Sequence, residues 1–429
     1  MSRYVYSLSD YRAIKKAEIA LDGLTVLAGE NGSGKSTLSE TLYRLTKVLT
    51  EYEQLIDKKA IGDIYSAIRP LQEVDMVLQR YVHREQNSDF QIEEILHLME
   101  KIRETKNLIS TEEYALKLIE KYRELLTKAF EVTRNKEFLR SRLMTIFETE
   151  QEMSDDKSFV EDVFNKMEDE IENIAKTARL DKIDRKRKTF VDLMPRIDIS
   201  NLQLSEDGVE LLDQNHFNQL INIKRVIYYK TYELMDYLGD KPSDFHSYLF
   251  ETSPEYQMTQ EERLLSMRLR SILGGTIDRG ETLWRDQLLY HRDDGLEIPL
   301  KQAATGLISF SYLARLLENG YLKKDTLLII DEPEAHLHPK WIVEYARILV
   351  LLQKQIGTKI LISSHNPDMV AAIDAIARKE GVSERTNFYF AKPSDTNKYK
   401  YIFERQDNIG SIFDSFNIAL TRIEEYGED

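Results

Sequence analysis

LTVLAGENGSGKSTLSETLYRLTKVL, residues 24–49, is the stretch on which the reading of this chain turns. Residues 24–28 form a short unbroken apolar run of the kind a buried strand shows. They lead directly into GENGSGKST, residues 29–37, which completes the pattern G-x-x-x-x-G-K-[ST]. Gly29, Gly32 and Gly34 let the backbone turn tightly enough for successive N–H groups to face phosphate oxygens, and Asn31 and Ser33 between them are expected to bind the nucleotide as part of the same loop. The helix that follows adds its positive N-terminal end. Lys35 is expected to reach the β- and γ-phosphates, Ser36 to offer a hydroxyl to Mg²⁺, and Thr37 to hydrogen-bond the α-phosphate. Leu38, Leu42, Leu45 and Val48 repeat at helical spacing, so the loop sits between a strand and a helix, as a phosphate cradle must.

Two further strands carry chemistry at their ends. TLLIIDE, residues 326–332, is an apolar run closed by two carboxylates: Asp331 is placed to hold Mg²⁺, and Glu332 to act as the general base on an attacking water. GTKILISSH, residues 357–365, repeats the design and ends in Ser363, Ser364 and His365, the last a candidate sensor of the γ-phosphate. Between the phosphate loop's helix and these lies PLKQAATGLISFSYLARLLENG, residues 299–320, a small-residue turn before a stripe of Ile308, Tyr312, Leu313 and Leu316. Thr305 and Gly306 at its start read equally well as an anion-binding helix opening and as an ordinary cap. His336 and His338 are read as loop residues rather than metal ligands.

The order of these motifs resembles the ABC-type ATPases of the SMC, RecF and OLD kind, over about residues 1–50 and 200–429. The resemblance implies an α/β fold: an ABC-type head with a mixed sheet, flanking helices and a large helical insertion. It implies ATP and Mg²⁺ as ligands, with Lys35, Glu332 and His365 as the catalytic set. It also implies a homodimer closed on ATP, in which Thr305 and Gly306 belong to a signature motif acting on the partner copy's nucleotide. AATGL departs from that signature in lacking the usual serine and second glycine. Pro333 to Pro339 resembles the loop that crosses the dimer interface, and Tyr11 and Arg12 lie where the family places an adenine- or phosphate-facing group. A glutamine loop is not legible, Gln54 and Gln72 being equally placed.

Within the superfamily, the stretch from Thr305 to Trp341 looks most like stand-alone ATPases of bacterial antiphage systems of the Septu, retron-associated or PARIS kind. That implies an effector protein encoded nearby, a nuclease or toxin, that ATP switches. The stretch after His365 holds two strand-like runs, NFYFAK and YKYIFE, and is expected to be too short for an OLD-type nuclease domain. The alternative is a RecF-like DNA-repair ATPase that grips DNA itself.

The domain reading is a head of residues 1–51 and 199–429 and a helical arm of 52–198. Within the arm, Ile92, Ile95, Met99 and Ile102 mark one helix, and Ser110 and Glu113 suggest a capping box for a second that carries Tyr114, Leu118, Tyr122 and Leu125. Residues 155–178 mark a third, with Phe159, Val163, Met167, Ile171 and Ile174 on one face. This reads either as a protruding arm that meets a partner or as a packed helical subdomain. No heptad pattern persists long enough for an extended coiled coil. IDISNLQL and KRVIYYK read as strands returning to the head, and Asp293, Asp294 and Gly295 as a hairpin turn.

Composition bounds these readings. The 429 residues contain no cysteine, which excludes disulfides, thiolate nucleophiles and cysteine-ligated zinc. A net charge of −15 repels nucleic acid at long range, leaving Lys176 to Lys188 as the one basic cluster able to touch it. No apolar run approaches membrane-spanning length and no secretory leader is evident, so a cytoplasmic protein without a membrane partner is expected.

Overall fold

Among the described residues the main sheet has ten strands and is mixed, as the sequence implied for an α/β chain. The computed structural model describes residues 2–81, 92–105, 107–133, 135–149, 155–179, 197–212, 217–218, 220–231, 244–253, 256–281 and 286–416. Its strands are β1 (Tyr4–Tyr11), β2 (Ile14–Leu21), β3 (Leu24–Ala28), β4 (Leu202–Glu206), β5 (Val209–Leu212), β6 (Arg225–Lys230), β7 (Gly275–Glu281), β8 (Asp286–Arg292), β9 (Glu297–Pro299), β10 (Thr326–Asp331), β11 (Lys359–Ser364), β12 (Thr386–Ser394) and β13 (Asn397–Gln406). The order across the sheet is β5-β4-β1-β2-β13-β12-β3-β11-β10-β6, and β7-β8-β9 form a separate antiparallel sheet. In the first sheet β12, β3, β11, β10 and β6 run parallel.

Every residue of β3, β10 and β11 is buried, because parallel strands are covered on both faces. This is why each reads as an unbroken apolar run. The antiparallel β1 instead alternates, with Tyr4, Tyr6 and Leu8 inward and Val5, Ser7 and Ser9 half exposed.

The helices, in chain order, are α1 (Lys35–Ile68), α2 (Pro70–Tyr81), α3 (Ile92–Glu104), α4 (Leu108–Val132), α5 (Lys136–Ile146), α6 (Asp156–Arg179), α7 (Asp244–Phe250), α8 (Gln260–Leu273), α9 (Thr305–Glu318), α10 (Pro339–Leu351), α11 (Pro367–Glu380) and α12 (Gly410–Phe416). Helices α9 and α10 share one core with the sheet: Ile308, Tyr312, Leu313 and Leu316 are fully buried, and Phe310 meets Trp341 and Tyr345 edge to face. Deep in this layer the Tyr229 and Tyr345 hydroxyls satisfy each other at 2.8 Å.

At the end of α9, Gly320 has φ of +77° and sits against the ring of Tyr256, whose hydroxyl donates to Leu317 O. A Cβ there would lie 2.3 Å from Tyr256 Cγ. Gly320→Ala is therefore expected to destabilise the chain by about 1–3 kcal/mol, seen as a lower urea midpoint at unchanged slope.

The chain divides into two compact units, Met1–Thr50 with Lys186–Asp429, and Glu51–Arg185. In the second unit the buried faces of α3, α4 and α6 supply Ile95, Ile102, Leu118, Tyr122, Phe159, Phe164 and Ile171 to one core. Arg179 pairs with Glu112, and Arg123 with Glu168 at 2.6 Å, so α4 and α6 run antiparallel. The capping box read from Ser110 and Glu113 is not what starts α4. Asn107 is the N-cap and accepts the Ser110 N–H at 3.1 Å, placing the helix start one turn earlier. Lys176 and Arg179 of the basic cluster end α6; the rest of that cluster lies outside the described residues. Gln54 and Gln72 lie on α1 and α2.

Candidate functional site

Strand pairing aligns the three chemically marked strand ends. Ala28 pairs with Ser364 across β3 and β11, and Ser363 with Asp331 across β11 and β10. The phosphate loop, the two carboxylates and the candidate switch histidine thus emerge at the same, C-terminal edge of adjacent parallel strands, where α/β sheets place their ligands.

The loop has the backbone the glycine pattern demanded, with Gly32 at φ +83° and Gly34 at φ +97°. A side chain at Gly34 would also strike Ile14, 2.9 Å from the Cβ position. Ser33 N–H donates to Glu30 O at 3.3 Å, Leu38 N–H donates to Gly34 O at 2.9 Å, and α1 begins at Lys35. Asn31 and Gly32 are exposed, whereas Ser36 and Thr37 are half buried in the first turn.

Lys35 is only 5% exposed, and its Nζ donates to two carbonyls of its own loop, Gly29 O at 2.7 Å and Glu30 O at 2.9 Å. Burial pulls its pKa below the usual lysine value, opposed by the carboxylates of Asp331, Glu332, Glu334 and Glu30.

Asp331 is fully buried. Its Oδ1 accepts the Ser363 hydroxyl at 2.5 Å, and Ser363 Oγ in turn lies 3.1 Å from Ser39 Oγ on α1. Its Oδ2 has no hydrogen-bond partner among the described residues, and neither does the buried Ser33 Oγ. An unpartnered buried neutral group costs about 1–3 kcal/mol and a charged one more, so the site as built has unmet demand for a cation at Asp331 and for an acceptor at Ser33. Those are the demands that a magnesium-bound polyphosphate meets, and the donor set of carboxylate, hydroxyl and ammonium fits it.

Glu332 follows the end of β10 in the left-handed region, φ +53°, with its N–H donating to Ser363 O at 2.9 Å. Its side chain is 27% exposed, and His365 Nδ1 stands 3.5 Å from its Oε1. That Nδ1 is also 3.7 Å from Glu334 Oε1 and makes no hydrogen bond among the described residues. The structure thus brings Lys35, Asp331, Glu332 and His365 together.

Thr305 and Gly306 form the first turn of α9. Ala304 is the N-cap and no side chain closes the turn, so the capping alternative for Thr305 does not hold. Gly306 packs on Trp341 and Leu337, which leave no room for a Cβ. No hydrogen bond or ion pair among the described residues links this pair to Lys35, Asp331, Glu332 or His365. Arg12 stacks on Tyr11 at 5.3 Å in the β1–β2 turn, two residues before the Ile14 that abuts Gly34. His338 caps α10, its Nδ1 accepting the Lys340 N–H at 3.3 Å.

Glu334 is the residue the sequence reading passed over. It is 5% exposed, and its Oε1 accepts the Ser364 hydroxyl at 2.7 Å and the His365 N–H at 3.1 Å. Its signal is faint: a third carboxylate in IIDEPE, in a Pro-containing turn where an acidic residue ordinarily faces water.

Burial raises the Glu334 pKa above the usual 4.5, against the two hydrogen bonds that favour its charged form. The folded state therefore holds this proton more tightly than the unfolded chain, and the associated stability is lost as pH rises from about 4.5 through the raised value. Glu334→Gln, uncharged throughout, is expected to melt above the wild type in nucleotide-free protein by a margin that grows across that window and vanishes below it. Thermal scans at a series of pH values check this.

A family model described as an AAA ATPase domain matches residues 7–370. Among curated proteins, an energy-coupling factor transporter ATP-binding protein, EcfA2, of Clostridium perfringens is 38% identical over 72 residues, 17% of this chain and 25% of that protein. A putative ABC transporter ATP-binding protein of the same species matches to the same extent. The chain therefore spans about a quarter of the length of the curated relatives it matches. Among solved structures, an Smc head domain with an extended coiled coil bound to the C-terminal domain of ScpA, from Pyrococcus furiosus, overlays with a TM-score of 0.35 at 11% identity, covering 99% of this chain and 100% of that one. The SMC head domain from Thermotoga maritima overlays with a TM-score of 0.35 at 9% identity, over 95% of this chain and 100% of that one. No helix among the described residues is long and apolar enough to cross a membrane.

Proposed function

The chain belongs to the AAA ATPase domain family, and on that premise we propose that it hydrolyses Mg-ATP in the ABC manner, between two copies of itself. The observation that carries this reading is the buried Asp331 carboxylate, half satisfied by Ser363 and level with the end of the phosphate-loop strand. Asp331 and Ser36 would hold the magnesium ion, which when bound supplies a Lewis acid to the phosphate oxygens.

The chain's own groups have separable tasks. Lys35 leaves the carbonyls of Gly29 and Glu30 to neutralise phosphate charge, and the N–H groups of residues 32–37 orient the same oxygens. Glu332 holds the attacking water and takes its proton, the role of a carboxylate at this strand end. His365, facing Glu332 across 3.5 Å, reports through its imidazole whether the terminal phosphate is in place. Thr305 and Gly306 present an uncapped helix start to the partner copy's nucleotide. Light scattering of Glu332→Gln with Mg-ATP should show a dimer that EDTA dissolves; a monomer under both conditions would overturn the dimeric mechanism.

The role in the cell follows from the motif resemblance: an ATP-driven switch that restrains or releases an effector protein in antiphage defence. A tagged pull-down from the native host, wild type against Glu332→Gln, tests it. Recovery of a nuclease or toxin-like protein, enriched on the variant, supports the switch. Recovery of DNA with replication proteins alone overturns it in favour of a DNA-repair clamp.

A further inference from the structure

Between the two carboxylates assigned to chemistry and the switch histidine lies a third that the mechanism above does not use. Glu334 has a side chain only 3% exposed, on a turn bounded by two non-glycine residues in left-handed backbone, Glu332 at φ +53° and His336 at φ +65°. Such conformations persist only where the surroundings enforce them. The turn is closed internally, Ala335 N–H donating to Glu332 O and Leu337 N–H to Glu334 O, each at 3.0 Å. The effect is to fold Glu334 back under the end of β11. There one oxygen, Oε1, accepts from both Ser364 Oγ and His365 N, while Oε2 is buried without a partner.

We propose that Glu334 is a positioning residue for hydrolysis: its Oε1 clamps the Ser364–His365 turn so that the imidazole of His365 is held against the Glu332 carboxylate. The clamp's hydrogen bonds go to the backbone and the neighbouring hydroxyl; the ring is met only at longer range, Nδ1 lying 3.7 Å from the same Oε1 without a hydrogen bond. Ser364 Oγ extends the clamp by accepting the Asn366 N–H at 3.1 Å, and Asn366 caps α11 by accepting the Met369 N–H at 3.1 Å. One buried carboxylate therefore ties the turn after β10 to the start of α11, with His365 as the residue between. A displacement of about 1 Å in a catalytic group can cost about a hundredfold in rate, so the clamp has leverage without touching the nucleotide.

This inference rests on the proposed roles of Glu332 and His365, and its test has one arm independent of them. In nucleotide-free protein labelled with ¹⁵N-histidine, the His365 ring signal, identified by its loss in His365→Ala, is expected to shift in Glu334→Leu. It should move less in Glu334→Gln, which loses the same charge 3.7 Å from Nδ1 but retains an acceptor oxygen, so the excess shift in Glu334→Leu reports the clamp. In the ATPase arm, Glu334→Leu is expected to lower kcat about 10- to 100-fold with KM within about threefold. Adding His365→Ala to that variant should then cost no more than about twofold, because both changes remove the same interaction. Should Glu334→Leu fail to fold, Ser364→Ala, which removes one of the two donors, should move the His365 signal in its place. A His365 shift no larger in Glu334→Leu than in Glu334→Gln, or losses that multiply in the double variant, overturns the clamp. A wild type without ATPase activity overturns the proposed function instead and leaves the NMR arm to decide on Glu334.

Discussion

Glu332→Gln is expected to lower kcat by about 10²–10⁴-fold, the ordinary yield of general base catalysis, while KM for ATP stays within about threefold. That loss corresponds to about 3–5 kcal/mol of transition-state stabilisation. The substitution is a clean one here. The N–H bond of residue 332 to Ser363 O is a main-chain contact, so glutamine keeps the same fold and loses the ability to take a proton together with the charge facing His365 at 3.5 Å. Phosphate release measured at saturating Mg-ATP gives the answer. An unchanged kcat would remove Glu332 from the chemistry and leave Glu334, the neighbouring carboxylate on the same turn, as the next group to test.

Lys35→Ala attacks the ground state as well as the transition state. A fall of about 10³-fold or more in kcat/KM is expected, since one charged donor preorganised in a low-dielectric site contributes about 10²–10³ in kcat and part of the binding besides. The fold itself should suffer little. The variant loses two hydrogen bonds to loop carbonyls and is at the same time relieved of a buried ammonium, two changes of opposite sign. Calorimetric titration of ATP, with a thermal scan of each protein, separates the two effects. Retained activity in a folded variant would mean that the loop does not cradle phosphates.

What was legible in the sequence is whatever local chemistry dictates. The apolar runs of β3, β10 and β11 could be read because both faces of these strands are buried, and the stripe of α9 because Ile308, Tyr312, Leu313 and Leu316 all face the core. The hairpin turn at Asp293 to Gly295 was legible for the same local reason: Gly295 has φ of +92° and Arg292 ties back to Asp294.

Other features depend on distant partners. Strand β7, GTIDRGE, carries a single apolar residue, Ile277, and exists because its whole length pairs with β8. The start of α4 was misplaced because Asn107 and Ser110 both suit an N-cap, and only the geometry shows which one is used. Glu334 was missed because nothing in IIDEPEAHLHP reveals that the turn tucks it beneath the end of a strand more than two dozen residues further along the chain.

The two hydrogen bonds that Lys35 makes to its own loop set a threshold for occupancy. An incoming anion must replace both, each worth about 0.5–1.5 kcal/mol net, before the ammonium gains anything by moving. A single tetrahedral oxyanion can replace the two carbonyls with two of its oxygens and gain little more. A chain of adjacent phosphates replaces them and then adds contacts along the loop. The lysine's resting bonds thus weigh most against ligands that offer it few acceptors and least against those that offer many.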